Sequence, residues 1–272
     1  MNKILFTISC FIEAPKIIKN SQLRKYYFIP SIIIIIMIIL STFVAFNVYN
    51  LTTTDFFVRA NNLDFSNIPL GSIINSVIKF MISSSKFIFG IVILTIYFLT
   101  FKTILIALMS PILSYLSEKI DSNLTNRNFN FSLADNGRFM LRGIKIGIIC
   151  LIKQLLGTIL LLILGFIPIV GLISPILIFL LQGYFTGFAF MDYTLERYKF
   201  STKDSMKFIK KKRIYSIICG SIFTFLFLIP ILGIFIAPLI TCAAVTKLTI
   251  ALINDDDQYQ YHLLNDYKKQ KI

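Results

Sequence analysis

The feature that most constrains this chain is a stretch of 21 consecutive residues, Tyr26 to Phe46, that carries no charge and contains "IIIIIMIIL". At 1.5 Å per residue a helix of that length is about 31 Å long, which matches the roughly 30 Å of hydrocarbon in a bilayer. Backbone polar groups in hydrocarbon must be paired within their own segment, so such a run is read as a membrane-crossing helix. Further uncharged runs follow: Phe87 to Phe101, Gln154 to Met191, and Ile214 to Thr246. With 56% hydrophobic and 15% charged residues in 272, a water-soluble domain could not hide this apolar surface. The sequence specifies an all-α integral membrane protein.

Around the first span, 26–46, the expected organisation is one membrane domain over residues 1–272. Residues 1–25 place Ile4, Leu5, Ile8, Phe11, Ile12, Ile17 and Ile18 at helical spacing, with Lys16 and Lys19 between them. An amphipathic helix lying at the interface is expected there. Glu13, Pro15 and the lack of a small-x-small site argue against a cleaved signal peptide. A second span is expected over 80–116, with Lys102 inside it. A lysine at the bilayer centre costs about 3 kcal/mol, so Lys102 is expected to snorkel to an interface or to line a polar path. In the connector 117–145, Ser132 and Asp135 mark a helix start. The tail, 254–272, is polar, and its "DDD" at 255–257 reads as a solvated turn.

Two segments repeat one punctuation: "IPIVGLISP" at 167–175 and "IPILGIFIAP" at 229–238. Pro168 matches Pro230, Gly171 matches Gly233, and Pro175 matches Pro238 after one extra residue. Proline removes a donor and glycine permits a tight reversal, so each motif is expected at the apex of a helical hairpin. The hairpins would span 146–196 and 214–253. Counted between charges and prolines, their arms run Gln154–Ile167, Pro175–Met191, Ile214–Ile229 and Pro238–Thr246. Those arms are about 21, 25, 24 and 14 Å long. All fall short of a comfortable crossing, so two hairpins that penetrate the bilayer partly are expected beside the two full spans.

Charge sets orientation and excludes functions. The net charge of +14 sits on loops, and 197–213 alone holds eight Lys or Arg against one Asp. With Lys16, Lys19, Arg24 and Lys25, this run is expected on the cytoplasmic face. No soluble basic domain exists to engage nucleic acid. Four scattered cysteines, with no CxxC pair, suggest neither disulfides nor a metal site, and one histidine, His262, rules out a His-based centre. Asp192 and Glu196 stand at i and i+4 on one helical face. Paired carboxylates can do acid–base work, but Arg197 and the basic run offer them a structural role. No catalytic residue, metal or cofactor is expected.

The stretches "SQLRKYYFIP", "ALMSPILSYLSEK", "FMDYTLERYKFS" and "ICGSIFTFLFLIPILGIFIAPLITCAA" resemble the CysZ-type sulfate permease and etoposide-induced membrane protein family. That resemblance implies an oligomeric protein with two true spans and two hemi-penetrating hairpins. It also implies sulfate entry, with the anion held by a Gly-Leu-Arg motif at the start of the first span. The matching positions here are Gln22, Leu23, Arg24 and Lys25: glycine is replaced by Gln22 and a second arginine by Lys25. A helix start favours an oxyanion whatever the family, because it presents unpaired N–H groups and a positive dipole end.

The expected function is therefore a channel or permease for a small oxyanion, with sulfate uptake for sulfur assimilation the first choice, in the inner membrane of a bacterium as a multi-pass homo-oligomer. The alternative is a non-transporting scaffold or stress-response protein of the same family. The groups available to line a path are Lys102, Lys153, Gln154, Gln182 and Thr241.

Overall fold

The structure is a computed structural model, and it describes residues 3–21, 101–127, 133–165, 167–229 and 232–256 with scattered positions between 32 and 97. Every element among the described residues is a helix. The chain divides into two units: Met1–Ile34 with Thr103–Ile272, and Ile35–Lys102. In the smaller unit the described positions of the first expected span are helical, and Ile35, Ile36, Ile39, Phe43 and Phe46 are exposed. Outward apolar side chains of this kind suit a lipid surround rather than water.

The helices of the larger unit are α1 (Lys3–Asn20), α2 (Ser110–Thr125), α3 (Leu133–Leu164), α4 (Pro168–Arg197), α5 (Thr202–Lys211), α6 (Arg213–Phe227) and α7 (Leu232–Asn254). A helical stretch Phe101–Leu108 leads into α2 through a 59° bend at Met109, where Pro111 opens the new helix. α7 is apolar on all sides, as a central helix must be, and is wrapped by α1, α2, α4 and α6. Of α1, one face (Cys10, Phe11, Ala14, Ile17, Ile18) packs inward, while Ile4, Leu5, Ile8 and Ile12 face out. The described part of α3 begins at Leu133; Ser132, expected at its start, lies outside the described residues.

α3 and α4 form one hairpin and α6 and α7 the other, the chain reversing between Leu164 and Pro168 and between Phe227 and Leu232, where each Pro/Gly motif begins. Pro168 opens α4, so Gly171 and Pro175 sit within its first turns rather than in the turn itself. Gly233 and Pro238 likewise lie inside α7, and Pro230 falls outside the described residues. The two copies share one bond geometry: Gly171 N–H donates to the Ile167 carbonyl at 2.7 Å, and Gly233 N–H to the Ile229 carbonyl at 3.0 Å.

Nor is glycine there for unusual dihedrals, since no described glycine has positive φ. It is there for room. A Cβ on Gly171 would stand 2.4 Å from the Gly165 carbonyl oxygen, and one on Gly233 2.0 Å from that of Leu226. The glycine lets the returning helix start against the end of the incoming one.

Helix lengths also differ from the count made between charges. Leu141–Leu164 of α3, Val170–Arg197 of α4 and Phe235–Asn254 of α7 are each long and apolar enough to cross a membrane, by length and composition. α6, with 15 residues, is short at about 22 Å. The difference arises because α3 runs on through Lys153, and Pro175 and Pro238 are absorbed inside α4 and α7, where the sequence count had ended at them.

Candidate functional site

Charged side chains collect where the ends of α2, α3 and α4 meet. Arg142 of α3 grips Asp192 of α4 with Nη2–Oδ1 at 2.9 Å, and its Nε lies 3.5 Å from Glu196. The same guanidinium donates to Ser205 Oγ at 2.8 Å and to the Phe200 carbonyl. One arginine thus ties α3, α4 and the start of α5 together. The sequence had offered the two carboxylates Arg197 and the basic run, but Arg197 pairs with Asp121 of α2 at 3.5 Å. It donates to Ser117 Oγ at 2.6 Å, the Tyr193 carbonyl at 2.9 Å and the Ser114 carbonyl at 3.3 Å. Tyr198 donates to Asp121 at 3.0 Å, and Ser117 reaches Thr246 of α7 at 2.6 Å. Burial, and then the neighbouring Asp121 charge, push the Tyr198 phenol up.

These two clusters are structural. Every charge in them has an opposite charge within 3.5 Å, and Arg197 and Asp121 are sealed from solvent. The pair of carboxylates at i and i+4 signalled that a cation must face it; sequence spacing could not choose Arg142, 50 residues from Asp192.

Farther along α3 and α4 the buried polar groups are neutral. Gln154 accepts from Thr103 at 3.3 Å and donates to Gln182 at 3.1 Å. Beside them lies a narrow cavity of about 10 Å³, lined among others by Thr103, Gln154, Thr186 and Asp192. That is room for about one water. The hydroxyls of Thr158 and Thr186, both buried, have no hydrogen-bond partner among the described residues. Of the polar residues singled out in the sequence, the structure brings Gln154 and Gln182 together. Thr241 is buried on α7, and Lys153 is exposed. Lys102 is fully buried, so it does not snorkel to the surface.

The expected anion ligands Gln22, Leu23, Arg24 and Lys25 lie outside the described residues. The tail "DDD" is partly within them, and Asp256 departs from expectation: it is buried and paired with Lys211 at 2.9 Å and Lys212 at 3.4 Å. Burial alone would raise its carboxyl, but hydrogen bonds and charge from both lysines hold it below the usual carboxylate range. The four cysteines include no disulfide, and all are buried.

Long apolar helices, hairpins closed by proline and glycine, and charges matched at one end define a multi-pass all-α membrane protein. A family model described as sulfate transporter CysZ/etoposide-induced protein 2.4 matches residues 10–238, more than four-fifths of the chain. The chain belongs to that family, which is one of membrane transport proteins and not an enzyme class.

Proposed function

We propose that this protein is a permease for a small oxyanion, sulfate being the substrate, in a bacterial inner membrane. The observation that carries the reading is the group of neutral polar side chains Thr103, Gln154 and Thr186 lining a water-sized cavity, with Gln182 hydrogen-bonded to Gln154 and the one lining carboxylate, Asp192, ion-paired with Arg142, inside helices that are otherwise apolar. Neutral donors suit an anion that must be passed on rather than trapped. Family membership supports this substrate class. In this conformation the cavity is closed to an ion, so passage requires α3 and α4 to part from the 103–108 stretch.

The entry site of this reading is Gln22, Leu23, Arg24 and Lys25. At a helix start they would offer N–H groups, a guanidinium fork and a point charge to a tetrahedral oxyanion. The hairpins enter the bilayer partly: their ion-paired lower halves belong at the interface, and beyond Lys153 α3 offers 11 residues, about 16 Å, before its end at Leu164. Reversals at that depth need protein around them, so the protein assembles as a homo-oligomer.

Radiolabelled sulfate uptake into proteoliposomes tests the proposal. Wild type should give flux above empty vesicles, and Arg24→Ala should weaken sulfate binding about ten- to a hundredfold. Lys16→Ala, which removes a like charge away from the helix start, should change it far less. A second reading, a membrane scaffold without transport, is favoured by the narrowness of the cavity. Absence of sulfate flux and of sulfate binding in wild type would decide for the scaffold.

A further inference from the structure

A groove of about 210 Å³ opens between α3, α4 and α5, on the other side of Ile146, Cys150 and Phe185, which line both it and the narrow cavity. Ile149, Phe188 and Met206 are among its apolar lining, Tyr184 adds a phenol, and Lys153 of α3 faces Lys210 of α5 across it. No carboxylate lines the groove. Neither lysine forms a salt bridge among the described residues, whereas Lys211 and Lys212, next in sequence to Lys210, are both answered by Asp256. Two ammonium groups on a concave surface with no counter-charge call for an anion.

The surroundings say which kind. Ile149, Ile152 and Leu156 follow one another at helical spacing on α3, and the last two are 50% and 63% exposed. From the groove this stripe continues as Ile159, Leu160 and Ile163, all exposed and without charge up to the hairpin's end. A free oxyanion would gain nothing from Phe188, Met206 or that stripe. A molecule with a phosphate at one end and an acyl chain at the other would use both. α5 itself is amphipathic, with Phe208 and Ile209 buried and Lys203, Lys207, Lys210 and Lys211 outward, the pattern of a helix lying at an anionic leaflet.

We propose that this groove is a binding site for an anionic phospholipid, its phosphate held between Lys153 and Lys210 and an acyl chain laid along Ile152 and Leu156 of α3. The proposal stands or falls independently of transport.

The test uses the full-length protein in nanodiscs of equal parts phosphatidylglycerol and phosphatidylcholine, with retained lipid counted by native mass spectrometry. Wild type should retain phosphatidylglycerol in preference. A Lys153→Gln/Lys210→Gln variant should lose that preference, with affinity down about thirtyfold, since each lysine near an anionic headgroup contributes on the order of tenfold or less. Lys153→Arg/Lys210→Arg should keep it, and circular dichroism should show both variants folded. A control that removes two exposed lysines on other elements, Lys79→Gln/Lys119→Gln, should stay within about twofold of wild type. Three outcomes overturn the proposal: no preference in wild type, an equal loss in the control, or displacement of the lipid by excess sulfate, which would make the groove a free-oxyanion site.

Discussion

A guanidinium sealed inside a helix bundle has to be answered on every side, and Arg197 is. It is 2% exposed, faces Asp121, and donates to one hydroxyl and two carbonyls drawn from α2 and its own helix. Removing one member of such a pair strands the other charge, at a cost of about 3–5 kcal/mol, whereas replacing both with groups of similar shape is far milder. Arg197→Ala should therefore lower stability by that amount in detergent. Arg197→Met/Asp121→Asn, which keeps an acceptor for Tyr198, should unfold at a temperature between Arg197→Ala and wild type. A double variant less stable than the single would mean the charges are not coupled. Asp256 makes a second residue-scale case, with the opposite exposure of partners: its lysines are partly solvated. Its folded pKa lies below the ordinary value of 3.8, so its contribution is present above that value and is lost as pH falls through the lower, folded one. The difference in thermal stability between wild type and Asp256→Asn should hold steady from neutral pH down to about 5 and shrink only below about 4.

Among the elements, α4 and α6 approach closest, and glycine spacing is the reason. Gly183 and Gly187, four apart on α4, face Ser216, Ser221 and Gly220 on α6. A Cβ on Gly187 would stand 1.9 Å from the Ser216 carbonyl oxygen, and one on Gly220 2.0 Å from that of Gly183. Backbone meets backbone here, the small-residue packing that holds helices together without a hydrophobic driving force. α3 repeats the device, with Gly143 against Ser110 and Gly147 against Ala107. Because the obstacle at Gly187 is main chain, it cannot rotate aside. Gly187→Ala should cost about 1–3 kcal/mol by forcing the helices apart. Gly137→Ala, with nothing within 4 Å of the added methyl, should be neutral or stabilise by up to about 1 kcal/mol. Thermal unfolding of the two variants side by side checks the contrast. Equal effects would mean that α4 and α6 tolerate separation.

At the scale of the whole molecule the open matter is depth. Cysteine labelling at the hairpin ends measures it, but Gly171 and Gly233 are poor positions, since any side chain there meets a carbonyl. Leu172, 81% exposed, and Leu228, 56% exposed, are better placed. In a background lacking the four native cysteines, Leu172→Cys and Leu228→Cys should resist an impermeant maleimide added outside whole cells. Ready labelling would establish full crossings. Light scattering across several mild detergents should return at least a dimer, because two reversals at membrane depth are more than two full spans can cover. A monomer mass throughout would count against the partial-penetration reading.

What the sequence determined by itself was whatever depends on composition and local order. Uncharged runs made the protein an all-α membrane protein, and the repeated Pro-x-x-Gly marked two hairpins, because length and a missing donor act within a few residues. Tertiary structure decided everything that depends on which distant groups meet. It put Gly171 and Gly233 inside the returning helices rather than in the turns, where the room for them is defined by carbonyls of the preceding segment. It gave Asp192 and Glu196 to Arg142 and left Arg197 to Asp121, a choice made by helix packing and invisible to spacing. It took Asp256 out of the solvated tail and buried Lys102. A buried charge accepts whichever partner the fold brings within about 4 Å, and only the assembled bundle fixes that distance.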